Sequence, residues 1–222
     1  VITDITGRRR AEESLREQNR ELALLNDMNN LLQACRTEEE TYRVMINVCK
    51  QLFPHDAGFI YMMDDSRTLL QEIAYWGTPP PEPRVFDVDD CWALRLGKMH
   101  FIEHPDAGLL CSHLSSSTEH GYLCTPISAS GGALGMFHLC FGEYGSDYTS
   151  DERSRVMEWK QIMTARLAEQ YSLSLVNLRL RETLRLESIR DPLTGLYNRR
   201  HMEASLGREV LRAKRHGTPV SI

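Results

Sequence analysis

Three cysteines and a histidine are the residues of this sequence whose types could do chemistry together. Cys111-Ser-His113 sets a thiol and an imidazole on one short stretch, with Cys91 before it and Cys124 after it. A thiolate and a neutral imidazole are good ligands for zinc or another borderline-soft metal, and a site normally takes three or four of them. Cys124, His120 or His104 could complete a set begun by Cys91, Cys111 and His113. The same residues admit other readings. Haem-type ligation uses the same donors. Two neighbouring thiols make a redox-sensitive pair, for which Arg95 or His113 would lower a thiol pKa. Cys91 or Cys111 with His113 as base would be a nucleophile, although no activated-nucleophile motif surrounds them. Against all of these stands plain packing. The cysteines at 35, 49, 91, 111, 124 and 140 form no Cys-x-x-Cys pair and match no established structural-zinc spacing, and separate cysteines commonly serve as small buried hydrophobes. Cys91, Cys111, His113 and Cys124 are therefore the candidates for ligand, redox or metal binding, and they specify no cofactor.

The chain has 222 residues, 41% of them hydrophobic and 26% charged, with a net charge of −5. That composition suits a core-forming protein of one or two domains. No apolar run reaches the roughly eighteen residues of a membrane span, and the N-terminus lacks signal-peptide architecture. The negative net charge offers nucleic acid no surface, although arginines crowd the C-terminal part as solvated helix faces. The expected setting is cytoplasmic, where the cysteines stay reduced.

The positioning elements follow from pattern. Val1-Ile-Thr-Asp-Ile reads as β-type alternation before helix-forming residues. Ala11, Leu15, Gln18, Leu22, Leu25, Asn29 and Leu32 then recur at alternating four and three, a heptad seam suited to parallel pairing. Thr37-Glu-Glu-Glu40 is a capping box opening a helix with Tyr42, Met45, Cys49 and Leu52 on its buried face, ended by Pro54. Strands are expected at 57–63 and 69–76, joined by Asp64-Asp-Ser-Arg-Thr68, followed by a proline-rich loop over 77–83. A short strand at 85–88, a helical turn at 91–96 ended by Gly97 and a strand at 99–102 come next. Residues 109–114 are ambiguous, and strands at 121–127 and 133–141 meet through Gly131-Gly132.

Thr149-Ser-Asp-Glu152 is a second capping box. No Pro or Gly follows until Pro192, so about forty residues can form one helix of about 60 Å. Leu173, Val176, Leu180 and Leu184 make one stripe on it, and Tyr171, Leu175, Leu178 and Ile189 a second. Beyond Pro192, Asn198 is an N-cap, Met202, Leu206, Val210 and Ala213 form a helical stripe, and Gly217 closes it.

That order, with Tyr-Leu-Cys-Thr-Pro-Ile127 and Gly-Ala-Leu-Gly-Met-Phe-His-Leu139, resembles a GAF domain over 37–165. The Asp90-Cys-Trp-Ala-Leu-Arg-Leu-Gly-Lys98 stretch and Cys111-Ser-His-Leu114 are similar to a GAF subgroup found upstream of GGDEF domains. The resemblance implies an α+β fold: an antiparallel sheet flanked by helices, with long N- and C-terminal coiled-coil helices. The cyclic-nucleotide GAF pattern is absent, and Ser112 separates the Cys-His pair that bilin attachment uses adjacent. Residues 1–10 resemble the end of a PAS domain, 11–36 a signalling helix and 166–190 a coiled-coil output helix. Asp191-Pro-Leu-Thr-Gly-Leu-Tyr-Asn-Arg-Arg200 resembles the opening of a GGDEF diguanylate cyclase domain, so 191–222 would be its truncated start.

These resemblances imply the sensory and signal-transmitting region of a diguanylate cyclase, a homodimer paired through the flanking helices and answering an unknown small-molecule or redox signal. Magnesium and GTP would serve only the cyclase domain, and this chain itself would not be an enzyme. No nucleic-acid partner is expected, and no membrane partner within this stretch of sequence. The competing expectation is a constitutive dimerisation scaffold with no physiological GAF ligand.

Overall fold

The computed structural model describes residues 2–78, 82–114, 120–130, 132–143, 149–191 and 194–219. Val1, prolines 79–81 of the expected loop, Gly131 of the expected hairpin, Pro192 and residues 220–222 lie outside them. The helices are α1 (Ile2–Ala34), α2 (Glu38–Leu52), α3 (Trp92–Leu96), α4 (Ser150–Ile189) and α5 (Arg199–His216). The strands are β1 (Ala57–Met63), β2 (Leu69–Trp76), β3 (Val85–Asp87), β4 (His100–Ile102), β5 (Tyr122–Ala129) and β6 (Gly132–Cys140). Two compact units divide the chain, Val1–Val176 and Asn177–Ile222. Among the described residues, no helix is long and apolar enough to cross a membrane.

In the first unit the strands form one antiparallel sheet of order β3-β2-β1-β6-β5-β4. β1 and β2 form where the apolar runs are bounded by polar turn residues. The Asp64 carboxylate holds their turn, accepting the backbone N–H of Thr68 at 3.0 Å and of Leu69 at 3.1 Å. Strand side chains alternate between faces. Ile60, Met62, Leu123, Ile127, Phe137 and Leu139 enter the core beneath the helices. Phe59, Tyr61, Tyr122, Cys124, Met136 and Cys140 enter a second core on the other face.

The helical layer joins three elements. Met28 and Leu32 of α1, Met45, Cys49 and Leu52 of α2, and Met163, Leu167, Tyr171 and Leu175 of α4 share the first core. Each fully buried side chain of leucine size contributes about 1.5–3 kcal/mol. Polar links fix the packing: Trp159 Nε1 donates to Glu21 Oε1 at 2.8 Å, and the Thr41 and Tyr171 hydroxyls lie 3.2 Å apart. One capping box forms in full and the other in part. Thr149 Oγ1 accepts the Glu152 N–H, and Glu152 Oε2 accepts the Thr149 N–H. Thr37 Oγ1 accepts the Glu40 N–H, while Glu40 reaches back to the N–H of Arg36 rather than that of Thr37.

Two expectations change. The alternation over the first residues does not form a strand, because α1 is helical from Ile2. A helix satisfies its backbone internally, whereas a strand needs a partner edge, and no strand pairs with these residues among those described. The heptad seam of α1 is also divided. Leu32 is buried in the domain's own core and Leu25 packs partly against it, while Leu15, Leu22 and the unforeseen Leu31 are exposed. The side chain of Ala11 is outside the described set.

In the second unit the described residues between α4 and α5 are held by their own side chains. Asp191 Oδ1 accepts the Thr194 N–H at 2.9 Å, Arg190 donates to the Gly195 carbonyl, and Asn198 Nδ2 donates to the Ser188 carbonyl. Asn198 caps α5 by accepting the His201 N–H, and Gly217 closes it at φ 66. Met202 and Val210 of the expected stripe are exposed. An open groove of about 790 Å³ runs along this helix, lined by Tyr197, His201, Leu206 and Ala213 among others.

Candidate functional site

The four sequence candidates converge. One donor atom from each of Cys91, Cys111, His113 and Cys124 lies within 4.8 Å of the others, and all four residues are buried. They come from three different elements.

Cys91 is the residue preceding α3, reached through a 3-10 turn at Val88–Asp90 that the Asp87 carboxylate caps. Gly97 ends α3 in the left-handed region at φ 63, which a residue without Cβ adopts without strain. Residues 109–114, ambiguous in sequence, fold back over α3. The Asp90 carbonyl accepts the N–H groups of Ser112 and His113, and the Leu110 carbonyl accepts Trp92 Nε1. His100 of β4 binds the Leu109 carbonyl at 2.9 Å. Cys111 is fixed from two sides: its N–H donates to the Tyr122 hydroxyl at 2.9 Å, and its sulfur accepts the Trp92 N–H at 3.4 Å. Cys124 projects from β5, opposite His100 on one side and His138 on the other.

The His113 ring is stacked on Phe86, with centroids 4.3 Å apart and planes 14° from parallel. Its Nε2 lies 3.6 Å from Cys124 Sγ, and among the described residues its Nδ1 has no hydrogen-bond partner. An unsatisfied buried polar atom costs about 1–3 kcal/mol.

Sulfur and imidazole extend beyond the four. Cys124 Sγ lies 3.3 Å from His138 Nδ1, and His138 Nε2 lies 3.1 Å from Cys140 Sγ. Cys91 Sγ donates to Met136 Sδ at 3.2 Å. His138, Met136 and Cys140 were not among the sequence candidates. The signal for them was the period of two along β6, which turns residues 136, 138 and 140 to the face carrying Cys124.

The electrostatics single out one thiol. The neighbouring thiols of Cys124 and Cys91, then His113, hold Cys111 well below the ordinary thiol range. A thiolate there is surrounded by donors. The Cys111 sulfur in turn pushes Cys91 up to about 12, and burial raises Cys124. Burial, with His113 nearby, lowers His138 to about 3, so that ring is neutral. Arg95 has no part in this: its guanidinium lies 4.3 Å over the Trp92 ring. Nor do the other histidines considered. His104 caps the turn at Pro105–Ala107, accepting the Asp106 N–H, and His120 is outside the set of clustered donors.

No protein-family model matches the sequence, and no curated protein matches it. Solved structures do match. The chain is similar to free methionine-R-sulfoxide reductase from Neisseria meningitidis in complex with its substrate, with TM-score 0.58, 14% identity, and 72% of this chain and 91% of that one covered. It is similar to the GAF domain of an Acinetobacter phosphoenolpyruvate-protein phosphotransferase, with TM-score 0.54, 13% identity, and coverage of 73% and 96%. The NLH2 GAF domain of A. aeolicus in an inactive state gives TM-score 0.52, 15% identity, and coverage of 70% and 98%. The fold is a GAF fold: a six-stranded antiparallel sheet with α1, α2 and α4 on one face. The cysteine-histidine cluster occupies the other face.

Proposed function

We propose that this chain is the sensory and signal-transmitting region of a diguanylate cyclase, in which the GAF domain controls a dimeric GGDEF output through α4. The observation that carries the reading is how α4 divides its two apolar stripes. Tyr171 and Leu175 are buried in the domain core, whereas Leu173, Val176, Leu180 and Leu184 are exposed at the three-and-four spacing of a helical seam. A second copy of α4 in parallel would cover that seam. The helix leads into Asp191-Pro-Leu-Thr-Gly-Leu-Tyr-Asn-Arg-Arg200, the stretch that resembles the opening of a GGDEF domain.

In this reading the chain pairs as a homodimer in the cytoplasm, and magnesium and GTP belong to the output domain. A signal at the sheet face opposite the helices biases the geometry of the helix pair, as a ligand biases any bistable element. The test uses the protein in which this sequence precedes a GGDEF domain. Inserting four residues near Asn177 rotates one end of the helix against the other by about 40° at 3.6 residues per turn. Cyclic di-GMP production should change markedly. Unchanged output would refute a rigid helical transmitter and favour a constitutive dimerisation scaffold.

A further inference from the structure

We propose that Cys91, Cys111, His113 and Cys124 hold a zinc ion in a closed site of three thiolates and one imidazole. This goes beyond the signalling role above and does not depend on it.

The first argument is geometric. Tetrahedral zinc with Zn–S near 2.3 Å places its donor atoms about 3.8 Å apart. The four donors lie within 4.8 Å of one another, and the Cys124 Sγ to His113 Nε2 separation of 3.6 Å already has the required length. The widest separation therefore needs to close by only about 1 Å to reach the tetrahedral spacing.

The second argument is chemical. A disulfide would join two of the sulfurs and leave the third, with the imidazole, unexplained. Three thiols with one nitrogen form a soft set of the kind that structural zinc sites use. The surroundings supply the outer contacts that orient such ligands. The Trp92 N–H already donates to the Cys111 sulfur, and His138 Nδ1 lies 3.3 Å from Cys124 Sγ, placed to donate to a thiolate there.

Four protein ligands leave zinc no open position, so the site is structural rather than hydrolytic. Binding displaces the thiol protons to solvent and ties α3 and residues 109–114 to β5. Occupancy then sets the order of the segment that covers this face of the sheet.

The experiment is elemental analysis of the whole chain purified under reductant, followed by exchange with Co²⁺. One zinc per chain is expected, released by a mercurial thiol reagent. The Co²⁺ form should show the visible bands of tetrahedral thiolate coordination. Loss of a second-shell partner costs about 10–100-fold in metal affinity; His113→Ala and Cys124→Ser, which remove ligands, should lose at least as much. Cys35→Ser, outside the cluster, should keep full metal content. Because a ligand variant can fail to fold, the Co²⁺ spectrum of the unsubstituted chain decides independently. A metal-free chain whose six thiols all titrate and that gives no Co²⁺ bands would overturn the proposal. So would a Cys91–Cys111 disulfide that persists in reductant.

Discussion

Lys160 Nζ lies 2.7 Å from Asp56 Oδ1, and both side chains are buried between the start of β1 and α4. Asp56 Oδ1 also accepts the Gly142 N–H at 3.0 Å, so one carboxylate holds a strand entrance, a helix and the exit of β6. Burial lowers Lys160 below the ordinary lysine value of 10.5 despite the Asp56 charge. The folded state therefore binds the proton less tightly than the unfolded chain. That penalty is present at neutral pH and is relieved as pH rises from the folded value toward 10.5.

The pair is thus costly to break and not obviously favourable to possess. Lys160→Met should destabilise the domain by about 3–5 kcal/mol, because it leaves Asp56 buried and unpaired. Adding Asp56→Asn, which keeps an acceptor for Gly142 without the charge, should recover a large part of that loss. Urea unfolding of the single and double variants checks both; a double variant no better than Lys160→Met would contradict the argument.

Dimerisation should rest on the exposed apolar residues of the flanking helices. Leu22 is 53% exposed and Leu173 also 53%, so neither is needed by the domain core. Leu22→Glu with Leu173→Glu should shift light scattering toward the monomer while the melting temperature of the GAF core stays close to that of the parent. Leu25 is a worse place for this test, because it packs partly against the core. A parent chain that is monomeric at high micromolar concentration would end the idea.

Much of this architecture is legible in the sequence because its signals are local. β1 and β2 are apolar runs between polar turns, and both capping boxes are four-residue patterns. Local signals do not say which of two apolar stripes on one helix meets a core. On α4 Tyr171 and Leu175 took the core, and Leu173 with Val176 did not, because the sheet and α2 lie on only one side of it. On α1 Met28 carries no heptad assignment yet is fully buried. The cluster shows the same limit. Its residue types stood out, but their meeting depends on the Asp90 carbonyl capturing residues 112 and 113, a contact without periodicity. His138 was within reach, since the alternation of β6 implies its direction once Cys124 is placed on the neighbouring strand.

The start of α4 should be acid-sensitive. The Thr149 backbone N–H and hydroxyl both donate to Glu152 and hold its carboxyl below the ordinary value of 4.5. A depressed carboxylate contributes stability that is present above the unfolded value and lost as pH falls through the folded one. Glu152→Gln should therefore flatten the dependence of melting temperature on pH below about 4.5 while leaving a helix that still forms. Parallel acid limbs in the two proteins would rule out this contribution.

The last prediction concerns the hydroxyl behind Cys111. Tyr122 is fully buried on β5, and its hydroxyl accepts the Cys111 N–H at 2.9 Å. Tyr122→Phe keeps the ring and its packing but leaves that N–H buried without an acceptor, which costs about 1–3 kcal/mol. The cost falls on residues 109–114, because that backbone can relieve it by moving outward to water while β5 is held in the sheet by β4 and β6. Two measurements should move together. Urea unfolding should show the loss of stability, and alkylation of the folded protein, read by mass spectrometry, should label Cys111 faster than in the parent. Cys49, in the core on the other face of the sheet, should label no faster. If Cys49 and Cys111 accelerate equally, the substitution has loosened the whole domain, and the hydroxyl has no particular role in placing Cys111.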